Sequence, residues 1–406
     1  MLVNRVTLLG HKDHGKSTLM GNLLIATNSV TEERIRDAKR ISEKLGRKFE
    51  PGYILDSFEE EREGEMTIDT TRAQIKYRDA AFELIDVPGH EELISNMMSG
   101  ASYASFALLL VSAKPDEGIK DQTKRHLFLA KMMGIRKILV AVNKMDTVGY
   151  SKERFESIRQ ELLAFLGKIG FGSQSLGFIP ISAYNSDNLA KASGKMKWYS
   201  GSSLLDEMYR MTRHGGKAVQ GRKLRISLQG ALPQSSGKAI IGKVICGTVK
   251  ANDAVRIVPG DSEYMVKSLF VKGAKAKKAA ANENVAIELS REIKEDVRGS
   301  VLCGKAEKLQ ANDEFDALVF FVSEPMGNEA IRFNGIEIPA SLEIKSCIDT
   351  TSGSAEKRTE IKPLNAANVR LSLGKEIAAE PFSRTMELGR FVLYSNREFA
   401  GIGIIK

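Results

Sequence analysis

Over residues 1 to about 212, short apolar runs alternate with helical patterns. The runs are RVTLLG (5–10), AQIKYR (73–78), AFELIDV (81–87), FALLLVSA (106–113), KILVAVN (137–143) and GFIPISA (177–183). Helical stretches such as TKRHLFLAKMMG (123–134) and SKERFESIRQELLAFLGKIG (151–170) lie between them. This alternation predicts βαβ units and a mostly parallel sheet covered on both faces. The texture changes at TRHGGKAVQGRK (212–223), a polar, glycine-rich stretch that reads as a linker over 214–222. Beyond it helical periodicity nearly vanishes. Short strands recur with turn signals between them: LRISLQG, AIIGKVICGTV, AVRIVPG, YMVKSLFV, NVAIELS and SVLCG. That spacing predicts a small closed β-barrel over 223–307. A second break near KLQANDE (308–314) precedes another strand-rich segment, read as a second β-barrel over 312–406. The fold class is therefore multidomain, α/β over 1–213 followed by all-β.

Composition supports this division. A chain of 406 residues is too long for one typical domain, and 42% hydrophobic residues suffice for a sizeable core. No apolar run approaches the roughly 18–20 residues that span a bilayer. The opening MLVNRVTLLG lacks a signal-peptide layout, so the expectation is a cytoplasmic chain with no membrane partner. Cys246, Cys303 and Cys347 fit neither a zinc spacing nor a disulfide framework and read as small core residues. The net charge of +9 biases the chain towards polyanionic partners, RNA among them.

The candidate chemistry begins at GHKDHGKST (10–18), where a strand gives way to a helix. Gly10, Gly15, Lys16 and Ser17 fit G-x-x-x-x-G-K-[ST]. The glycines permit a tight turn whose N–H groups face phosphate oxygens, and the helix that follows turns its N-terminus towards the same charge. The stretch Asp13, His14, Gly15, Lys16, Ser17 and Thr18 is the predicted phosphate cradle. In it Lys16 neutralises the β- and γ-phosphates and the Ser17 hydroxyl is a ligand for Mg²⁺.

Two further motifs stand at strand ends. In DVPGH (86–90), Asp86 is placed for the Mg²⁺ shell and the Gly89 N–H for a γ-phosphate. In NKMD (143–146), Asn143 and Asp146 are placed to read a base, with Lys144 along its plane. A carboxylate at Asp146 accepts from the N1–H and 2-amino group of guanine, a donor pair that adenine lacks, so the ligand is expected to be GTP or GDP. SAY (182–184) closes the base pocket through backbone donors of Ser182, Ala183 and Tyr184. Within EREGEMTID (61–69), Thr67 is the candidate mobile-loop ligand for Mg²⁺ and the γ-phosphate. His90, after Gly89, is the candidate catalytic residue that positions or polarises the attacking water.

With these motifs in this order, the chain resembles a translation-factor-class GTPase. The branch is that of archaeal and eukaryotic elongation factor one-alpha, the release and ribosome-rescue GTPases, and the GTPase subunit of ATP sulfurylase. The resemblance implies a P-loop GTPase domain followed by two β-barrels, and it supports His90 and Thr67 in the roles above. The chain departs from the family in two places. Lys12 stands where a small apolar residue is usual, and Glu65-Met66 stand where Gly-Ile is usual. Two functions fit. One is a ribosome-associated switch that delivers tRNA or a tRNA-mimicking protein, with a possible guanine nucleotide exchange factor. Its signals are the basic charge, GRKFEPGYILDSFEEERE, LGRFVL, and Lys267, Lys272, Lys275, Lys277 and Lys278 in the first barrel. The alternative couples GTP hydrolysis to sulfate adenylylation beside an adenylyltransferase catalytic subunit. GHEEL, QTKRH, WYSGSSLL and IELSREIKEDVRGSVL favour that reading, and GHKDHGKST opposes it.

Overall fold

In the computed structural model, residues 3–46, 48–55, 71–86, 104, 106–213, 223–234, 237–260, 262–293, 295–357 and 360–406 are described. The predicted linker 214–222 and the site candidates Thr67, Gly89 and His90 lie outside them. The chain divides into two compact units, Met1–Gly216 with Thr350–Ser354, and Lys217–Asp349 with Ala355–Lys406.

In the first unit the apolar runs are strands of one sheet. These are β1 (Val3–Leu9), β2 (Thr71–Tyr77), β3 (Ala80–Asp86), β4 (Phe106–Ser112), β5 (Ile138–Asn143) and β6 (Leu176–Pro180), in the order β2-β3-β1-β4-β5-β6. Pairing is parallel from β3 through β6, and β2 is antiparallel to β3. Burial explains the two textures of sequence. FALLLVS in β4 and ILVAVN in β5 are buried at every position, as central parallel strands covered on both faces require. The edge strand β2 alternates, with Ala73 and Ile75 turned inward.

Helices α1 (Lys16–Ala26), α2 (Glu32–Lys44), α3 (Asp121–Met132), α4 (Lys152–Lys168) and α5 (Leu204–Arg213) cover the sheet. Leu19, Met20, Leu23 and Leu24 of α1 join Val6, Leu8 and Leu108 in its core. The predicted stretches at 123–134 and 151–170 are α3 and α4, and the Ser151 hydroxyl caps α4 by accepting from Arg154 N at 3.1 Å. Helices α2 and α5 are not among the predicted elements. The first is mostly charged, and only Ala38 and Ser42 of it are buried.

The second unit is β-structure. Its first barrel comprises β7 (Arg225–Gln234), β8 (Gly237–Cys246), β9 (Thr248–Lys250), β10 (Ala254–Val258), β11 (Glu263–Val271), β12 (Ala274–Ala276), β13 (Lys278–Ala280), β14 (Asn284–Leu289) and β15 (Val301–Gly304). The order β10-β15-β7-β8-β14-β11 closes by pairing of β10 with β11. Its second barrel comprises β16 (Asn312–Phe321), β17 (Glu329–Phe333), β18 (Ile336–Asp349), β19 (Ser354–Glu356), β20 (Ala366–Ile377), β21 (Arg390–Ser395) and β22 (Glu398–Ile405). The order β17-β21-β22-β16-β20-β18 closes by pairing of β17 with β18. Both are closed six-stranded barrels, as the strand spacing predicts.

All three cysteines are free and buried, in keeping with their reading as core residues. A buried cation braces this unit. Arg225 donates to Glu307 and, at 2.7 Å, to Glu380, which also accepts from the Thr385 hydroxyl at 2.6 Å. Burial alone would push the Glu380 carboxyl up; the hydrogen bonds from Arg225 and Thr385 hold it below the ordinary carboxylate value.

Candidate functional site

The site forms where the C-terminal ends of β1 and β5 meet the start of α1. Strand β1 runs into Gly10, whose φ is +137°, and a Cβ there would stand 2.5 Å from Leu110 O of β4. A one-turn 3₁₀ helix, Lys12–His14, leads to Gly15 at φ +87°, and α1 begins at Lys16. A Cβ on Gly15 would lie 2.7 Å from Asn143 Nδ2. Both positions need glycine, one for close approach to a strand and one for the left-handed turn that starts the helix. The first N–H groups of α1 have no partner within the helix and face the loop.

A cavity of about 420 Å³ opens over this turn. The phosphate loop lines one end through Lys12, Asp13, Gly15, Lys16, Ser17 and Thr18. Asn143, Lys144, Asp146, Thr147, Ala183 and Tyr184 line the other. Segments more than 120 residues apart in sequence thus share one space, as the motif order predicts.

Lys16 is buried, and its ammonium donates to Gly10 O at 3.1 Å and His11 O at 3.3 Å. It lies 3.8 Å from the Asp86 carboxylate at the end of β3. Ser17 is exposed to the cavity. Asp13 is exposed, with its carboxylate 3.4 Å from His11 Nδ1. The Thr18 hydroxyl donates to Glu50 Oε1 at 2.8 Å, and Gly52 N donates to the same oxygen at 3.2 Å. Glu50 is a lining residue that the motif reading does not include. Its signal was the run GRKFEPGY, which carries no spacing rule of its own.

His14 sits apart from the cavity. Its ring is fully buried, with Nδ1 3.0 Å from Leu110 O, and its N–H closes the 3₁₀ turn on His11 O at 3.1 Å. Burial, the largest effect, lowers its pKa below the ordinary imidazole value. In this conformation His14 supports the turn and offers no donor to a phosphate.

The base end is more interlocked than its motifs suggest. Asn143, 2% exposed, donates from Nδ2 to His14 O at 2.8 Å and accepts at Oδ1 from Ala183 N at 2.8 Å. It ties the phosphate loop to the 182–184 turn. The Ser182 N–H is likewise taken, by Asp187 O at 3.3 Å, and the Ser182 hydroxyl accepts from Asn185 N at 3.2 Å. Two of the three predicted backbone donors are therefore committed within the protein. Tyr184 is exposed at the cavity mouth.

Lys144 adopts φ +62°, and its ammonium reaches Glu117 Oε2 at 2.6 Å. Glu117 also holds Lys114 at 3.2 Å. Burial would raise the Glu117 carboxyl, but hydrogen bonds from Lys144, Ser112 and Lys114 bring it down to about 2. Sequence reasoning misses Glu117, since 27 residues separate it from Lys144. Asp146 stands on the 3₁₀ turn Met145–Val148. Its Oδ1 is buried and has no hydrogen-bond partner among the described residues. A buried carboxylate oxygen left so is costly unless a ligand supplies the donor.

Comparison with known proteins agrees with this geometry. Residues 2–214 match the Elongation factor Tu GTP binding domain family, and residues 330–406 match the GTP-eEF1A C-terminal domain-like family. Elongation factor 1-alpha of Pyrobaculum islandicum is 33% identical over 404 residues, covering 96% of this chain and 90% of that one. Elongation factor 1-alpha of Aeropyrum pernix is 32% identical over 419 residues, covering 98% and 95%. A solved structure described as sup35 complexed with GMPPNP aligns at 22% identity and a TM-score of 0.43, covering 99% of this chain and 93% of that one. The phosphate loop, the base-end turn and the full-length match together show that this chain belongs to the elongation-factor family of GTP-binding proteins, as a translation-factor-class GTPase.

Proposed function

We propose that the chain is a GTP-operated switch that carries tRNA or a tRNA-mimicking protein to the ribosome and releases it on hydrolysis. The observation that carries this reading is the cavity joining the phosphate loop to a base-end turn, with Asp146 Oδ1 buried and unpartnered in it. Guanine supplies two adjacent donors to such a carboxylate, and adenine would leave it unpaired. The first-turn N–H groups of α1 and the Lys16 ammonium hold the phosphates.

The donor set also fits Mg²⁺. Ser17 at the helix start and Asp86 beside Lys16 offer hard oxygen ligands, and Thr67 is the third residue in this role. When bound, the ion would neutralise charge on the transferring phosphoryl group. His90 positions the attacking water. For domain limits we adopt 1–213, 223–307 and 312–406.

The partner class follows from charge and kinship. Lys267, Lys272, Lys275, Lys277 and Lys278 are exposed on the first barrel, and Lys278 pairs directly opposite Lys250. Like charges facing each other across a ladder oppose folding, so a phosphate backbone is a natural occupant of this face. The full-length relatives reported above are elongation factors, and the sulfate-activation reading finds no support among them. A guanine nucleotide exchange factor is the expected partner for resetting the switch. Among the described residues no helix is long and apolar enough to cross a membrane.

The test is GTP turnover by the full chain with and without ribosomes. Stimulation by ribosomes, lost in His90→Ala, is the expected result. Stimulation by an adenylyltransferase catalytic subunit, with none by ribosomes, would reverse the assignment.

A further inference from the structure

Among the described residues, four lysines line the nucleotide cavity: Lys12, Lys16, Lys114 and Lys144. Three of them are engaged. Lys16 is held by Gly10 O and His11 O, with Asp86 beyond. Lys114 and Lys144 share the Glu117 carboxylate. Lys12 has no hydrogen bond or ion pair among the described residues, and it is exposed. The acids nearby are already directed elsewhere: the Asp13 carboxylate faces His11, and Glu50 accepts from Thr18 and Gly52.

The backbone that carries Lys12 is held firmly. The 3₁₀ turn closes from His14 N to His11 O, the His14 ring is anchored beside Leu110 O, and the His14 carbonyl accepts from Asn143. Lys12 therefore stands on a braced turn at the phosphate end, with its ammonium uncommitted. Without an anion, it adds repulsion to Lys16 across the same loop. A bound phosphate chain removes that repulsion.

The triphosphate carries one more negative charge than the diphosphate. Lys16 and a divalent cation serve both nucleotides, since both contain the β-phosphate. In GTP the same Lys16 and divalent cation must be shared between the β- and γ-phosphates, so the γ-phosphate brings charge that they meet only in part, and the cation left uncommitted in the loop is Lys12. We propose that Lys12 is a specificity-determining residue whose ammonium binds the γ-phosphate, making this loop prefer GTP over GDP. This inference rests on the GTP-switch reading above and adds to it the discrimination between the two nucleotide states. Lys12 supplies from within the chain a cation that would stabilise the γ-phosphoryl group electrostatically.

The experiment compares affinities of the full chain for GDP and for a non-hydrolysable GTP analogue, both with Mg²⁺, in wild type, Lys12→Met and Lys12→Arg. Lys12→Met should lose about tenfold or more in analogue affinity, while GDP affinity stays within about threefold. Lys12→Arg should keep the wild-type preference. The wild-type preference should also shrink with added salt, and that of Lys12→Met should not. Retained GDP affinity shows that each variant is folded. Equal losses for the two nucleotides would place Lys12 on the shared phosphates and overturn the proposal, as would no loss at all. Wild-type protein that binds neither nucleotide would instead overturn the GTP reading itself, and the proposal with it.

Discussion

Asn143→Ala separates a residue that reads the base from one that builds the site. In the folded chain Asn143 is 2% exposed and makes two hydrogen bonds, each at 2.8 Å, to His14 O and Ala183 N. Both partners are backbone groups in buried loops. Removing the amide leaves each unsatisfied, at a cost of about 1–3 kcal/mol apiece, or about 2–6 kcal/mol together. For a unit of this size, about 1 kcal/mol moves the melting temperature by 2–4 °C. The variant should therefore melt roughly 5–20 °C below wild type with no nucleotide present. Asn143→Asp should fare no better. It keeps the acceptor for Ala183 N but sets an anionic oxygen against His14 O, inside a buried site. The assay is thermal unfolding followed by circular dichroism, first without nucleotide and then with excess GDP. Asp146→Ala is the control, because Asp146 Oδ1 has no partner to abandon among the described residues. A melting curve for nucleotide-free Asn143→Ala within about 2 °C of wild type, together with weakened GTP binding, would refute the reasoning. Asn143 would then act on the ligand alone.

Other changes probe single groups. Asp146→Asn removes an acceptor for two donors of guanine, each such charge-assisted bond worth about 1.5–3 kcal/mol, so GTP affinity should fall roughly 10²–10⁴-fold while xanthosine triphosphate gains. Equal binding of GTP by wild type and variant in a competition titration would remove the base-reading role of Asp146. Glu117→Gln takes the ionised partner from Lys144 and Lys114; guanine-nucleotide affinity should drop about three- to tenfold with little change in melting temperature, and unchanged affinity would mean that Lys144 needs no such orientation. His14 titrates in the folded state below its ordinary 6.5. The unfolded chain thus binds the proton first, so the stability from a neutral His14 is complete above about pH 6.5 and is lost as pH falls below it. Stability measured from about pH 7 to 5 should decline less steeply in His14→Gln than in wild type, and parallel slopes would sink the assignment.

The parts of this fold that were legible in sequence are those set by local spacing. Seven consecutive buried positions in β4 and six in β5 can be read as buried parallel strands because each run is apolar up to its last residue, Ser112 or Asn143. Gly15 and Lys16 can be read because their turn and their helix start lie within three residues. The partner of Lys144 could not be read. Glu117 comes near it because Ser112 of β4 is in register with Asn143 of β5, which sets the two following loops side by side. Register across a parallel sheet is a property of packing, and no local pattern encodes it. Helix α2 is hard to read from sequence for a related reason. It is amphipathic but too polar to announce itself, and its register is fixed by Ser42, whose hydroxyl donates to Ala38 O and accepts from Glu50 N.

The site's motifs also turn out to act on one another before they act on a ligand. The His14 ring lies against Leu110 O of β4, and the His14 carbonyl accepts from Asn143. Asn143 accepts from Ala183 N, and Ala183 O accepts from Asn22 Nδ2 of α1 at 2.5 Å. Helix α1 begins at the phosphate loop that carries His14, so the circuit closes on itself. Every member is buried, where hydrogen bonds meet little competition from water and an unmade one is costly. The separation of the phosphate end from the base end is therefore fixed by the protein. A nucleotide that matches it need not spend binding free energy on ordering these loops. What the circuit leaves unused is what a ligand can reach: the first N–H groups of α1, the Ser17 hydroxyl, Asp146 Oδ1 and the Lys12 ammonium. Breaking the circuit, as in Asn143→Asp, should thus cost more folding stability than altering any one of those free groups, because it releases both ends of the site at once.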